Sequence, residues 1–466
     1  MKIQFIGAAR EVTGSKHLIT LKNGKKILLD CGMFQGKGLE TDAMNRNTMV
    51  EPKDVDFIIV THAHIDHTGL IPYFYARGFR GDVICTHATR DLCAIMLPDS
   101  GFIQENDTHW FNKKRVRQGL PWVKPIYTEK DARACMECFV SYGYNRYYPV
   151  TDGVRVMFTN SGHMLGSAVI NLEITEDGKT TRIAYTGDVG RKESYLLKSP
   201  VEFPQCDYLI TESTYGNRLH EEKKGAEDLL LKVIYHTCVE KKGKLIIPSF
   251  AIGRTQEIVY MLNKFYTDKK LPNIPVYVDS PLAINATEIF KLNLNLFNDD
   301  VAETLETDPN PFGFNTLFYI NNAEMSKRLN STKQPCIIIS ASGMMEAGRV
   351  KHHIANNVDS GKNSILSVGY CAPDTLGAKI LRGDKDISIF GFPHQVNAEI
   401  YSIDAFSGHG DYKELEHYVK CQNPKQLKKL FIVHGEYEAQ KFYADVLKKD
   451  GFTNIEIPEA GSVYEL

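Results

Sequence analysis

The feature that most constrains this chain is a run of metal-ligand side chains directly after an apolar stretch. The segment Phe57–Val60 is followed by His62, His64, Asp66 and His67, which place three histidines and one aspartate within six residues. The apolar run predicts a buried strand, so the cluster lies where that strand ends. Imidazole and carboxylate are the ligands that Zn²⁺ takes in catalytic sites. Packing does not explain such a cluster, and its spacing suits two metal ions about 3.5–4 Å apart.

Four residues do not complete two metal sites, so further ligands are expected at other strand ends. His163, Asp188 and His434 each follow an apolar run and are flanked by glycine, and Asp30 follows the same pattern. Taken singly, each is equally well explained as a buried, hydrogen-bonded residue. Taken together, they predict a site assembled from several strand ends. His409 follows another polar break, and it is a candidate ligand or proton donor.

The pattern of the strands changes near residue 206. Before it, two hairpins are predicted, with turns at Asn23-Gly24 and Asp177-Gly178 that need positive φ at both residues. After it, short and fully apolar strands alternate with helical segments, which is typical of a parallel α/β sheet. We therefore predict three segments, with the middle one inserted as a separate domain: 1–212, 213–392 and 393–466.

Composition narrows the class of protein. The chain has 55 Lys and Arg against 57 Asp and Glu, a net charge of −2, so any nucleic-acid surface must be local. No apolar run reaches the roughly 18 residues of a membrane span. The ten cysteines are scattered through apolar runs, which predicts reduced thiols and a cytoplasmic protein.

The segment HAHIDH resembles the HxHxDH motif of the metallo-β-lactamase superfamily. Asp30, His163 and Asp188 stand where that superfamily has its other site motifs. The resemblance implies an αββα sandwich that binds two zinc ions, with Asp30 orienting a ligand histidine. The first ion is implied to be held by three histidines together with a bridging Asp188: His62, His64 and His163. The second is implied to be held by Asp188 and two neighbours: Asp66 and His67.

Three later segments are similar to motifs of the β-CASP branch, the nucleases of RNA and DNA processing. They are ITESTYG with Glu212, SGHGDY with His409, and IVHGE with His434. The branch implies a parallel α/β domain inserted into the metallo-β-lactamase domain. It also implies that His434 completes the second zinc site, that His409 is the general acid, and that Glu212 orients His409.

The predicted activity is that of a zinc-dependent ribonuclease, in which a metal-bound hydroxide attacks the scissile phosphorus. Three alternatives stay open: a DNA nuclease of the same branch, a small-molecule metallo-hydrolase, and a non-catalytic binding module. DNA-acting members of the branch tend to carry Val where this chain has His434, which favours RNA. The predicted partner is single-stranded RNA, with no membrane contact, and a homodimer is left open.

Two pairs of residues are candidate phosphate contacts. Ser249 and Arg254 lie between an apolar strand and a helical segment, and Ser342 and Gly343 lie in a similar position. Small residues before a helix can present backbone N–H groups to phosphate. Ordinary helix capping explains the same residues equally well.

Two further segments bear on substrate contact. The basic run 113–117 follows Trp110 and Phe111, so bases could stack there. Because runs of charged residues usually lie in solvent, a solvated loop is the favoured interpretation. RNA-processing relatives carry a GYQAxGTxGR-like stretch, which reads GYCAPDTLGA at 369–378 here. The Gln, the second Gly and the Arg of that stretch are replaced in this chain. Any contact that these residues make to a substrate strand in the relatives is therefore not implied here.

Overall fold

The computed structural model describes residues 1–36, 39–220, 223–369, 371 and 375–466, and they form two compact units. The first unit is made of three chain segments: Met1–Ser194, Lys198–Leu219 and His409–Leu466. The second unit is made of two: Tyr195–Leu197 and His220–Gly408. The predicted insertion, 213–392, overlaps most of the main segment of the second unit, His220–Gly408, which begins later and ends later.

Two seven-stranded sheets form the centre of the first unit. The strands of the first sheet are β1 (Lys2–Gly7), β2 (Lys16–Thr20), β3 (Lys26–Leu29), β4 (Phe57–Ile59), β5 (Asp82–Thr86), β6 (Phe139–Tyr142) and β22 (Val463–Glu465). Their order is β22-β1-β2-β3-β4-β5-β6. The strands of the second sheet are β7 (Tyr147–Thr151), β8 (Val154–Asn160), β9 (Ala168–Glu176), β10 (Lys179–Tyr185), β11 (Tyr208–Thr211), β20 (Lys429–Ile432) and β21 (Ile455–Glu456). Their order is β21-β20-β11-β10-β9-β8-β7.

One apolar core joins these two sheets, because it contains inward side chains of both, such as Phe5 and Ile59 from the first and Phe158 and Ile210 from the second. A second cluster covers the other face of the second sheet, where α13 (Tyr412–Val419) contributes Leu415 and α14 (Tyr437–Lys449) contributes Tyr443. The helices of this unit are α1 (Leu39–Arg46), α2 (Ile65–Thr68), α3 (Ile71–Ala76), α4 (His87–Arg117), α5 (Glu129–Cys135), α13 (Tyr412–Val419) and α14 (Tyr437–Lys449). The predicted αββα sandwich is confirmed.

The second unit contains a six-stranded sheet whose strands all run parallel. In spatial order the strands are β14 (Leu317–Tyr319), β13 (Val276–Val278), β15 (Cys336–Ser340), β12 (Lys244–Pro248), β16 (Ser364–Ser367) and β19 (Glu399–Ser402). A separate hairpin pairs β17 (Asp386–Ile389) with β18 (Phe392–Gln395). The helices are α6 (Lys223–Ile234), α7 (Arg254–Thr267), α8 (Pro281–Leu292), α9 (Asp299–Thr307), α10 (Ala323–Ser331), α11 (Arg349–Asn357) and α12 (Leu376–Arg382). The predicted parallel α/β domain is confirmed.

The two predicted hairpin turns differ in outcome. Asp177 and Gly178 both have positive φ, 52° and 75°, as a two-residue turn requires. The first turn is longer than predicted and runs from Leu21 to Lys25. Its left-handed residue is Gly24, while Asn23 accepts a hydrogen bond from the Lys25 N–H through Oδ1. Backbone hydrogen bonds that join Leu21 to Gly24 and to Lys25 close this turn, and the Asn23 side chain adds a further contact. The prediction of a tight two-residue turn was wrong.

Helix α4 is longer than the sequence predicts. The basic run 113–117 lies in its last turns, so the expected solvated loop was wrong. Across the described ranges, no helix combines the length and apolar character needed to cross a membrane.

Candidate active site

The candidate active site lies in the first unit, at the ends of strands from both sheets. After β4, the chain turns through His62 and His64 before α2 begins at Ile65, so Asp66 and His67 lie in the first turn of that helix. Strands of the second sheet supply the residues that face this turn. They are His163 after β8, Asp188 after β10, Glu212 after β11 and His434 after β20.

The first group of ligand atoms surrounds His64. Its Nδ1 lies 3.1 Å from the Nε2 of His62 and 3.1 Å from the Nε2 of His163. The Oδ2 of Asp188 lies 3.4 Å from the Nε2 of His62 and 3.5 Å from that of His163. The four ligand atoms all lie within 4.8 Å of one another, which is close enough to coordinate one ion.

A second group lies on the other side of Asp188. The Nε2 atoms of His67 and His434 are 3.2 Å apart, and the Oδ2 of Asp66 lies 3.5 Å from the Nε2 of His434. The other oxygen of Asp188, Oδ1, lies 3.3 Å from the Nε2 of His67. Asp188 therefore faces each group with a different oxygen, as a bridging ligand does. Among the described residues, nothing donates a hydrogen bond to this buried Oδ1.

The electrostatics of the site fit bound cations. Burial lowers the pKa of His62 to about 3 and that of His64 to about 4. Both rings are therefore neutral near pH 7 and keep a lone pair for a metal. Burial raises the pKa of the Asp188 carboxyl, but the His434 and His67 rings lower it by more, to well below its usual value. In the first group, neutral imidazoles converge on an ionised carboxylate, a donor set suited to a divalent transition metal. Burial lowers the pKa of His67 in the second group, but the carboxylates of Asp188 and Asp30 raise it by more, to well above its usual value.

The far nitrogens of three rings are held by oxygen atoms. The Asp30 carboxylate accepts from the Nδ1–H of His67 at 2.7 Å. The hydroxyl of Thr61 lies 3.0 Å from the Nδ1 of His62, and that of Thr214 lies 2.9 Å from the Nδ1 of His434. Each contact fixes the proton on Nδ1 and leaves Nε2 facing the site.

Thr61 and Thr214 are residues that sequence reasoning did not assign. Thr61 also donates its hydroxyl and its backbone N–H to the Asp30 carboxylate, each at 2.8 Å. Their position in the sequence was the available signal. Thr61 comes just after β4 and directly before the ligand His62, and Thr214 comes just after β11, two residues after Glu212. Asp30 and His434 themselves have positive φ, 56° and 50°. Strain of this kind in non-glycine residues is typical of functional sites.

We expect Asp30→Asn to weaken metal retention by about 10–100-fold, the usual effect of altering a residue that orients a ligand histidine. The asparagine amide keeps the shape of the carboxylate, but it lacks the charge that holds the proton on the Nδ1 of His67. Competition with a fluorescent zinc chelator measures the change. Asp54→Asn is the matched control, since Asp54 is an exposed partner of Lys26. Equal zinc retention in both variants would contradict this role of Asp30.

His409 lies beside the first group without joining it. Its ring centroid is 4.5 Å from that of His163, and its Nδ1 lies 3.1 and 3.2 Å from the two carboxylate oxygens of Glu212. Burial lowers the pKa of His409, but the carboxylates of Glu212 and Asp188 raise it by more, to about 9. Its side chain is 20% exposed, whereas that of Asp188 is 2% exposed. The site is therefore open to solvent on the side of His409.

Glu212 could serve either as a ligand or as a support for His409. Its carboxylate lies within ligand range of Asp188 and His434. However, its Oε1 accepts the backbone N–H of Val189 at 2.5 Å, and its Oε2 accepts that of Thr214 at 3.3 Å. Both oxygens are thus already bound by donors, which favours the supporting role.

Close backbone approaches hold the site loops together. A Cβ on Gly32 would lie 1.6 Å from the carbonyl oxygen of Asp66, and one on Gly190 would lie 2.0 Å from that of Gly162. Only glycine fits at these two positions. The loops that carry Asp66, His163 and Asp188 are therefore fixed by backbone contact as well as by side chains.

The four candidate phosphate contacts lie in the second unit. Ser249 is buried and its hydroxyl accepts from Thr255, while Arg254 forms an ion pair with Glu257. Ser342 bonds to the backbone of Ala347 in the loop before α11, and Gly343 is buried in the same loop. Within the altered stretch 369–378, Tyr370 and residues 372–374 lie outside the described residues.

Comparison with known families matches this architecture. A model described as the metallo-beta-lactamase superfamily matches residues 12–92, and one described as the Beta-Casp domain matches residues 255–380. A third, described as a Zn-dependent metallo-hydrolase RNA specificity domain, matches residues 393–458. Ribonuclease TTHA0252 of Thermus thermophilus is 33% identical over 94% of both chains. The chain belongs to the β-CASP branch of the metallo-β-lactamase superfamily.

Other β-CASP relatives have similar sequences along nearly the whole chain. An RNase J-like protein of Methanocaldococcus jannaschii is 35% identical over 96% of this chain and 95% of its own length. Cleavage and polyadenylation specificity factor 73 of Drosophila melanogaster is 30% identical over 94% of this chain and 60% of its own length. With this family and this His/Asp cluster, the chain is a metal-dependent hydrolase of a nuclease family.

Proposed function

We propose that this β-CASP enzyme is a ribonuclease that hydrolyses RNA phosphodiester bonds with two zinc ions. The observation that carries the proposal is the position of Asp188 between two sets of ligand atoms, with one carboxylate oxygen facing each set. Relatives named as ribonucleases match along nearly all of the chain, which supports RNA as the substrate class.

The ligands divide into two sets that share Asp188. The first set is His62, His64 and His163, and the second is Asp66, His67 and His434. When bound, two such ions would neutralise charge on the phosphate oxygens and would lower the pKa of water, so that hydroxide becomes available as the nucleophile. Histidine nitrogen and carboxylate oxygen in this ratio favour zinc over Mg²⁺ or Ca²⁺, which prefer oxygen ligands alone.

His409 is placed to act as the general acid. Its Nδ1–H donates to Glu212, which leaves Nε2 as the nitrogen that exchanges a proton with the leaving oxygen. The negative charge of Glu212 stabilises the protonated ring before transfer. Asp66 and His409 are 19% and 20% exposed, so a phosphodiester can approach the ligand groups from their side.

We expect the purified chain to contain close to two zinc ions and to cleave single-stranded RNA. The test incubates it with RNA labelled at the 5′ or the 3′ end, with DNA of the same sequence, and with a thioester and a lactone. A chelator should abolish cleavage and added zinc should restore it. Hydrolysis of DNA alone would make the protein a DNA nuclease, and hydrolysis of the small esters alone would make it a small-molecule hydrolase. Cleavage of RNA by zinc-free protein would refute the metal site.

A further inference from the structure

The last turns of α4 and the chain that follows them carry an unusual local composition. Residues 110–124 contain five Lys or Arg and neither Asp nor Glu, in a chain whose net charge is −2. Both tryptophans of the protein lie in this segment, and they are strongly exposed, Trp110 by 67% and Trp122 by 72%. Phe111 is also exposed. Two exposed tryptophans in one short segment indicate a surface that binds something.

This segment is held in a defined shape. The side chain of Asn112 donates to the carbonyl of Val123 at 2.8 Å and accepts the N–H of the same residue at 3.0 Å. The Nε of Arg115 donates to the carbonyl of Pro121 at 2.7 Å. The chain after α4 therefore folds back along the helix. Trp122 lies between two residues of these contacts, and Trp110 lies two positions before Asn112.

Cations lie close to the exposed rings. The Nζ of Lys113 is 4.1 Å from the centroid of the Trp110 ring, and the guanidinium of Arg115 is 5.5 Å from that of Phe111. Lys113, Arg117 and Lys124 are exposed as well. An apolar protein partner would have to remove water from these cations, whereas a polyanion with flat, stackable bases matches both features.

The surface is distant from the metal ligands. Thr86 and Thr89, at the start of α4, both donate to the carbonyl of Gly166 in the loop of His163. At about 1.5 Å per residue, Trp110 lies roughly 35 Å along the helix from Thr86. A base stacked on Trp110 therefore cannot be part of the reacting phosphodiester.

We propose that residues 110–124 form a second, non-catalytic binding surface for single-stranded RNA. Bases stack on Trp110 and Trp122, and Lys113 and Arg117 contact phosphates. This proposal depends on the proposed function only for the choice of RNA as the ligand. It predicts that the surface determines the affinity for long RNA and leaves the chemistry at the metal site unchanged.

Intrinsic fluorescence tests the surface directly, because the protein has no tryptophan outside it. Titration of the zinc-loaded chain with a phosphorothioate oligouridylate, which resists hydrolysis, should quench the emission saturably. No quenching at RNA concentrations that saturate binding would overturn the proposal. An emission change that follows protein concentration instead of RNA would also overturn it, because the surface would then join two copies of the chain.

Variants measured by anisotropy of labelled RNA separate stacking from charge. Trp110→Ala and Trp122→Ala should each weaken binding at least about fivefold, the lower end of the range for one lost stacked base. Trp→Phe at either position should restore most of the affinity, since a ring face remains. The double variant Lys113→Ala, Arg117→Ala should reduce the slope of log affinity against log salt by about 1.4, because each lost phosphate contact to a single strand accounts for about 0.7. Phe392→Ala, which removes a ring that is 69% exposed in the second unit, is the matched control and should leave binding unchanged.

Activity distinguishes this proposal from the ribonuclease proposal. In the tryptophan variants, KM for long RNA should rise at least about fivefold with kcat unchanged, while hydrolysis of bis(p-nitrophenyl) phosphate stays equal to that of the original chain. RNA cleavage with unaltered KM in both variants would overturn the surface and leave the ribonuclease standing. Quenching by RNA in a protein that cleaves no RNA would support the surface and refute the ribonuclease proposal.

Discussion

Replacing His409 with alanine is expected to lower the rate of RNA cleavage by about 10²- to 10⁴-fold, the usual loss on removal of a general acid. Zinc content should stay close to that of the original chain. The reason is geometric, because the Nδ1 of His409 is directed at Glu212 and the two ligand groups are complete without it. Elemental analysis and single-turnover cleavage on the same preparations measure the two effects.

Two comparison variants make this result specific. His434→Ala should lower zinc occupancy as well as rate, since its Nε2 belongs to the second ligand group. Glu212→Gln should resemble His409→Ala but act more mildly, because the ring remains and only its orientation and proton affinity change. His417→Ala, at an exposed histidine of α13, is the control and should behave like the original chain. If His409→Ala loses zinc and His434→Ala keeps it, the two roles are assigned the wrong way round.

The metal-ligand residues that the sequence predicts share one property. Each is a histidine or carboxylate that follows an apolar run, and the ends of neighbouring strands meet at one edge of a sheet. That rule finds Asp188 and His434 although they are far apart in the chain. It cannot find Thr61 or Thr214, because threonine is common after strands. The role of Thr214 depends on a contact with His434, 220 positions later in the chain.

The degree of burial explains which strands the sequence predicts. The central strands β12 and β15 are buried along their whole length, so they appear as continuous apolar runs. The edge strands β14 and β19 are only partly buried. β14 is three residues long, and β19 begins and ends with polar residues, so neither gives a long apolar run. Helix α4 was recognised only at its start, because beyond residue 100 its exposed aromatic residues interrupt the apolar stripe by which amphipathic helices are detected.

The largest effect on metal binding is expected from Asp188→Asn. Asp188 contacts both ligand groups, with Oδ2 facing His62 and His163 and Oδ1 facing His67. Asparagine keeps the shape of the side chain, but it removes the negative charge and turns one of the two oxygens into a donor. We therefore expect both zinc ions to be lost, whereas His434→Ala should affect mainly one.

The rate of RNA cleavage should fall with the metal. Charge stabilisation by a catalytic metal pair contributes several kcal/mol, so the expected loss is about 10³-fold or more. Asp445→Asn is the matched control, since Asp445 pairs with Lys448 on the surface, and circular dichroism checks that both variants fold. A folded Asp188→Asn protein that keeps one zinc at full occupancy would show that Asp188 belongs to a single site. In that case one of the two ligand groups must hold its ion without a shared carboxylate.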